Sequence, residues 1–455
     1  MALISMNPHD GSMIKEYEEM SESQVNETLQ QTQEAFNKWK NTPFTDRTRR
    51  MFMVAKILRE RKEEFAQLMT AEMGKPITGA RAEVEKCTWV CEYYAEQAEC
   101  FLKEEPIRTD AQYSGVVYRP LGVILAVMPW NYPFWQVFRF ASPGLMAGNT
   151  CVLKHAGNVS GCALAIEEIF REAGFPSHAF RSLLISSSKV NPVIENPIVK
   201  AITLTGSNAA GKAVAQKAGE MLKKTVLELG GSDPYLILDD ADLAKAVPLC
   251  VKSRLLNSGQ SCIAAKRFIV VEDVREEFEQ QFVEAMEKIV MGDPAKEETQ
   301  LGPMARIDLR DELHKQVSSS VGKGARCLLG GDIPAFQGAY YPATVLTDVK
   351  QGMPAYEEEL FGPVASIIPV QNSEEAVRVA NDNIYGLGAA VFTENRDRGM
   401  EIAQYLLDAG SCFVNSFVKS DPRLPFGGVK ESGYGRELSH FGIKEFTNIK
   451  TVYMD

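Results

Sequence analysis

Across residues 21–102, apolar side chains recur every three or four positions among Glu, Lys, Gln and Ala. That rhythm predicts amphipathic helices with one solvated face, broken at Pro43 and Pro76. Residues 107–118 alternate and are β-branched, which predicts an exposed hairpin or arm. The rhythm then changes. Short apolar runs at 122–128, 150–153, 182–185, 201–205 and 225–229 are separated by helical stretches such as 160–173. Short buried strands alternating with helices predict a parallel sheet covered on both faces. A second series begins after Gly231, with strands at 235–238, 267–271 and 365–369 and helices at 243–257, 274–290 and 373–381. It reads as another α/β domain. The segment 445–453 is strand-like with nothing local left to pair with, so it is expected to add to a partner's sheet.

A chain of 455 residues exceeds one ordinary core, so two or three domains are expected. The formal net charge of -11 argues against a sequence-independent hold on nucleic acid, which needs Lys and Arg to neutralise phosphates. The first residues lack a basic start followed by an apolar core, and no apolar run spans a bilayer. The expectation is a cytoplasmic protein without membrane contact. Nine cysteines, an odd number, do not suggest a disulfide framework. Cys87 and Cys91 lie four apart, but no second Cys/His pair follows at ligand spacing, so no metal is expected. Reduced and mostly buried thiols are the reading for eight of the nine.

Four places could carry chemistry, each with a plainer alternative. The turn Gly206, Ser207 to Gly211, Lys212 follows a strand and opens a helix, whose free N–H groups suit a phosphate. Its spacing imitates a nucleoside-triphosphate loop, but Ala213 stands where that loop needs a hydroxyl for Mg²⁺. An ordinary glycine turn is the alternative. Cys262 lies among small polar residues that would leave its sulfur accessible, as a nucleophile requires; an inert buried thiol is the other reading. Glu228, flanked by leucine and glycine, has little local charge to neutralise it, so burial would raise its pKa toward that of a general base. It could equally point to water. Asn131, between aromatic residues and prolines, is a neutral amide suited to an oxyanion, or else a turn residue.

Together the stretches Pro129-Trp-Asn-Tyr-Pro, Val152-Leu-Lys, Leu204-Thr-Gly-Ser, Glu228-Leu-Gly-Gly, Gly259-Gln-Ser-Cys, Glu359-Leu-Phe-Gly-Pro and Pro425-Phe-Gly-Gly resemble the aldehyde dehydrogenase superfamily, in that family's order and over nearly the whole chain. The closest likeness is to its bacterial and cyanobacterial succinate-semialdehyde dehydrogenases, through 154–156, 228–234, 291–294, 301–306 and 435–441.

The resemblance implies an α/β fold with a Rossmann-like cofactor domain (1–106 and 120–227), an α/β catalytic domain (228–438) and a β oligomerisation arm (107–119 and 439–455). It implies that Cys262 attacks an aldehyde, that Asn131 and the Cys262 N–H hold the oxyanion, and that Glu228 activates water against the resulting thioester. NAD or NADP would contact Trp130, Lys154, Gly157, Gly206, Ser207, Glu359 and Phe361. Gly157 stands where NAD-preferring relatives often carry Glu, so NADP should be tolerated. Arg139, Trp135 and Ser420 would bind substrate, with Arg139 on the carboxylate of succinate semialdehyde; a structural ion pair is the alternative for Arg139. A further arginine of the animal enzymes is Leu256 here, and their redox-switch cysteine is Ala264, so no disulfide switch is expected. The implied assembly is a homodimer or homotetramer. Rival functions are oxidation of other ω-carboxylated or simple aliphatic and aromatic aldehydes, and non-enzymatic reuse of the fold.

Overall fold

The structure, a computed structural model, describes residues 2–335 and 337–455. Met1 and Phe336, which the expected cofactor and catalytic ranges include, lie outside them. The predicted helical preface is present as Glu22–Trp39, Phe44–Glu60, Lys62–Met73 and Ile77–Phe101, with Pro43 and Pro76 at the starts of the second and fourth. Ser21 and Gln24 form a capping box at the first of these. Ahead of them lies a hairpin, Ala2–Met6 against Met13–Glu18, that the apolar pattern does not reveal because nearly all its side chains face outward.

Six strands form the first sheet, in the order Gly433–Tyr434, Lys224–Glu228, Val199–Thr205, Val123–Met128, Thr150–His155, Phe180–Ser182. All are parallel except the first. The run expected at 182–185 sits earlier, at Phe180–Ser182. Leu183 and Ile185 are still buried, but the Ile185 N–H turns back onto the Leu183 carbonyl and ends the ladder. The second sheet has seven strands, in the order Arg326–Leu329, Thr344–Thr347, Val364–Val370, Arg267–Val271, Pro234–Ile237, Gly388–Phe392, Ser411–Val414. Only Arg326–Leu329 runs antiparallel to its neighbour. The apolar runs that predicted these strands are buried on both faces, as helix-covered parallel sheets require.

The helical preface is held to the helix Trp135–Met146, which packs on the first sheet, by specific contacts. Trp39 donates its indole N–H to the Leu145 carbonyl at 2.9 Å, and the buried Arg47 donates to the carbonyls of Met146, Trp39 and Lys40. Phe134, Phe138, Phe170, Phe175 and Phe180 pack in one cluster with neighbouring centroids 4.7–6.2 Å apart. Each such ring contributes roughly 1.5–3 kcal/mol by leaving water.

The tail corrects an expectation. Thr447–Met454 does have a partner in its own chain: it pairs antiparallel with all of Tyr113–Pro120, and Glu105–Pro106 adds a third strand. Local sequence hides this because the two partners lie at opposite ends of the chain. The residues expected as one arm therefore form a single sheet, while the helix Ser439–Glu445 packs instead on Ile77–Phe101 and Trp135–Met146. Among the described residues no helix is long and apolar enough to cross a membrane.

Candidate active site

The two sheets face each other with opposite ends. From the first, the carboxyl ends of adjacent parallel strands deliver Trp130 and Asn131, Lys154, Gly206 and Ser207, and Glu228. This is the edge at which open α/β sheets place ligands. Into the second sheet the chain enters from the same side, bringing Cys262 ahead of Arg267–Val271 and Glu359 to Phe361 ahead of Val364–Val370.

Cys262 lies in the wall of two cavities at once. One, of about 340 Å³, is lined by Trp135, Arg139, Lys86, Phe426 and Ser420 among others. The other, of about 240 Å³, is lined by Trp130, Asn131, Gly206, Ser207, Glu359 and Phe361. The residue is half-buried, and both cavities reach it. Its depth pushes the thiol up to about 12, although Arg139 and Lys266 pull the other way. In the resting site it is therefore protonated at neutral pH.

The loop that carries Cys262 is unusual. Asn257, Ser258 and Gly259 have φ of 56°, 55° and 75°, three left-handed residues in succession. Asn257 donates its amide to the carbonyls of Asn131 and Gln260, at 2.7 and 3.1 Å, and Asn131 donates to Gln260 at 3.1 Å. These bonds fix the Asn131 amide in the wall that it shares with Cys262. Below it, the buried Lys266 donates to the carbonyls of Ser261 and Cys262, both at 2.7 Å, and pairs with Glu359 at 3.3 Å.

Gly259 is required by contact as well as by backbone angle. A Cβ there would stand 2.2 Å from the Gly362 carbonyl oxygen. Gly259→Ala is expected to cost about 3 kcal/mol or more of stability and to displace the nucleophile. Gly219→Ala, in the helix Asn208–Glu220 where a Cβ meets nothing within 4 Å, should be neutral or slightly stabilising. Denaturation midpoints of the two variants check both expectations.

Glu228 is buried, and its carboxylate rests against the backbone of Gly427, where a Cβ would lie 2.8 Å from one of its oxygens. Burial raises its pKa well above the usual carboxylate range, Glu437 raises it further, and Arg139 opposes. Arg139 itself is buried and ion-paired with Glu437, which reaches it from the segment before Ser439–Glu445; the pair thus ties two distant parts of the chain rather than one helix face. The guanidinium also donates to Thr205 at 3.3 Å and lies 4.6 Å from the Phe426 ring centroid. It borders the larger cavity with its charge already balanced.

The smaller cavity has the features of a dinucleotide site. Ser207 caps the helix Asn208–Glu220 by accepting from the Ala210 N–H, leaving a helix N-terminus at the wall. Glu359 accepts from the Gly231 N–H at 3.1 Å, and a Cβ at Gly230 would collide with its other oxygen. Trp130 and Phe361 meet edge to face at 5.8 Å. Lys154 stands on the adjoining strand, buried, with burial lowering its pKa and, among the described residues, a single long 3.4 Å bond from its ammonium to Ser187. Gly157 begins the turn beyond it, close against Leu3. His155 between them is structural: its Nε2–H donates to the Pro133 carbonyl at 2.8 Å, its Nδ1 accepts from the Ala156 N–H at 2.9 Å, and burial holds the ring neutral, near 4.

Of the other eight cysteines, five are buried, Cys412 is half-buried, and Cys100 and Cys327 are exposed. Sequence reasoning missed the roles of Lys86, Lys266 and Asn257. For Lys266 the signal was a lysine four places after the nucleophile; for Lys86 it was a charge on the inward side of a helix.

A helix start at the cavity wall, a buried carboxylate on the neighbouring strand and two cavities meeting at one cysteine suit covalent chemistry on a doubly wound framework. Residues 2–452 match the aldehyde dehydrogenase family, and the chain belongs to it. It is 49% identical over 454 residues, covering 100% of both chains, to a probable succinate-semialdehyde dehydrogenase [NADP(+)] of Synechocystis. It is 47% identical to the Escherichia coli succinate semialdehyde dehydrogenase [NAD(P)+] Sad, covering 99% of this chain and 98% of that one. Among solved structures, succinic semialdehyde dehydrogenase from Streptococcus pyogenes in complex with NADP+ superposes with a TM-score of 0.97 at 36% identity, over 100% of both chains.

Proposed function

We propose that this protein oxidises succinate semialdehyde to succinate with NAD or NADP. The observation that carries the reading is the position of Cys262 in the shared wall of two cavities, one for the aldehyde and one for the dinucleotide. The names of the relatives support the substrate class. The fit of the dinucleotide rests on the capped helix start at Ser207, the Glu359 carboxylate in its glycine cradle, and the poorly partnered Lys154.

In this reading, residues 1–106 and 120–227 hold the cofactor, with Lys154 at the adenosine ribose, Gly206 and Ser207 at the pyrophosphate, Trp130 along the cleft, and Glu359 and Phe361 at the nicotinamide end. Gly157 offers no carboxylate to repel a 2′-phosphate, which favours acceptance of NADP. When bound, the nicotinamide supplies the acceptor for the two electrons that leave the aldehyde carbon. Cys262 gives up its proton to water, and the sulfur adds to the carbonyl carbon as the C=O π pair moves onto oxygen. The Asn131 amide and the Cys262 N–H hold the resulting oxyanion. Once oxidation leaves a thioester on Cys262, Glu228 takes a proton from water, which attacks the acyl carbon and releases the acid. Catalytic residues thus come from both sides of 228, and residues 228–438 form the catalytic domain. Residues 107–119 and 439–455 associate copies into a homodimer or homotetramer; exposed Ile107, Ile449, Tyr453 and Met454 on and beside the arm sheet support this.

Steady-state kinetics over an aldehyde panel with both cofactors test the reading. Succinate semialdehyde should exceed butanal in kcat/KM by at least about tenfold, the worth of one charge-assisted contact. NADP should be used as well as NAD or better. Equal or better turnover of butanal would sink the substrate assignment, and absence of cofactor reduction with every aldehyde would sink the enzyme.

A further inference from the structure

The larger cavity carries four cationic side chains, Lys75, Lys86, Arg139 and Lys419, and they are not equivalent. Lys75 is buried against Glu83, and Arg139 against Glu437, so each already has its counter-charge. Lys419 is solvent-exposed at the rim. Lys86 is different. It projects from the helix Ile77–Phe101 one turn beyond Glu83, whose carboxylate is committed to Lys75 and to the N–H groups of Phe134 and Trp135. Its ammonium lies 4.3 Å from the centroid of the Trp135 ring and donates to the Ser420 hydroxyl at 2.6 Å. Asp421, the carboxylate nearest in sequence to that contact, is taken by Arg423 at 2.7 Å. Among the described residues no carboxylate pairs with Lys86.

The geometry points to Lys86 as the residue that receives the distal carboxylate of the substrate, with Ser420 beside it and Trp135 beneath, while Arg139 holds Glu437 in place. An ammonium has three donors, and Ser420 takes one. Two remain for an anion in the cavity that Cys262 also lines, beside the rings of Trp135, Phe417 and Phe426. Burial, with Arg139 adding repulsion, brings the free lysine down to about 8, a cost that an incoming carboxylate offsets. This inference rests on the substrate class proposed above, and it adds Lys86 to the cationic side chains that meet the carboxylate.

Lys86→Met and Lys86→Arg, with Lys419→Met for comparison, are assayed on succinate semialdehyde and on butanal. Lys86→Met should lower kcat/KM for succinate semialdehyde by about 30-fold or more, through KM, and leave butanal within about twofold. Lys86→Arg should recover most of the loss, and Lys419→Met should cause a smaller one. Equal losses on both aldehydes, or a selective loss only in Lys419→Met, would overturn the proposal. Should the wild-type enzyme favour butanal, the substrate assignment falls but Lys86 is still tested, by succinate as competitive inhibitor against butanal. Inhibition weakened in Lys86→Met then supports the carboxylate site. Inhibition unchanged in the variant, or absent in the wild type, overturns it.

Discussion

Cys262→Ala is expected to lose at least about 10⁴-fold in aldehyde oxidation, the scale seen when a covalent nucleophile is removed. The thiol makes no hydrogen bond among the described residues, and the loop is held by Asn257, Lys266 and Gly259. Binding of NADP, followed by quenching of protein fluorescence, should therefore persist in the variant. More than about 1% residual activity would remove Cys262 from the role of nucleophile. In the intact enzyme the thiol sits near 12, so alkylation by iodoacetamide without cofactor should be slow at pH 7 and accelerate steadily with pH.

Glu228→Gln should separate the two halves of the reaction. Reduced nicotinamide should appear in a burst of about one equivalent per site, followed by turnover slowed by about 10²–10⁴-fold, because only hydrolysis needs the base. The burst would report Cys262 and the steady state Glu228. The pH dependence has a definite sign. A buried carboxyl whose pKa is raised is protonated, and useless as a base, below that pKa; the steady-state rate should climb through neutral into alkaline pH. In the Gln variant that rise should vanish from the slow phase. A variant with neither burst nor slow phase, though folded, would place Glu228 in the first half of the reaction instead.

Much of this was legible before any coordinates. The change of apolar period near residue 120 marks where helices give way to the parallel sheet, because strands buried on both faces must be continuously apolar. Cys262, Glu228 and Asn131 were each ambiguous alone, and the ordered motifs around them singled them out. What remained hidden was long-range. The pairing of Thr447–Met454 with Tyr113–Pro120, the neutralisation of Arg139 by Glu437, and the approach of Lys86 to Ser420 join residues hundreds of positions apart or on unrelated elements. Local rhythm carries no information about such partners. Gly259 and Gly427 were readable as motif letters, but the reason for them, a carbonyl in one case and the Glu228 carboxylate in the other, is a matter of packing.

The arm sheet also sets an order of assembly. Tyr113–Pro120 is synthesised early, yet until Thr447–Met454 exists one of its edges is open and the other is covered only by Glu105–Pro106. A nascent chain must carry this bare ribbon while both larger sheets take shape, which makes it the natural place for premature association between growing polypeptides.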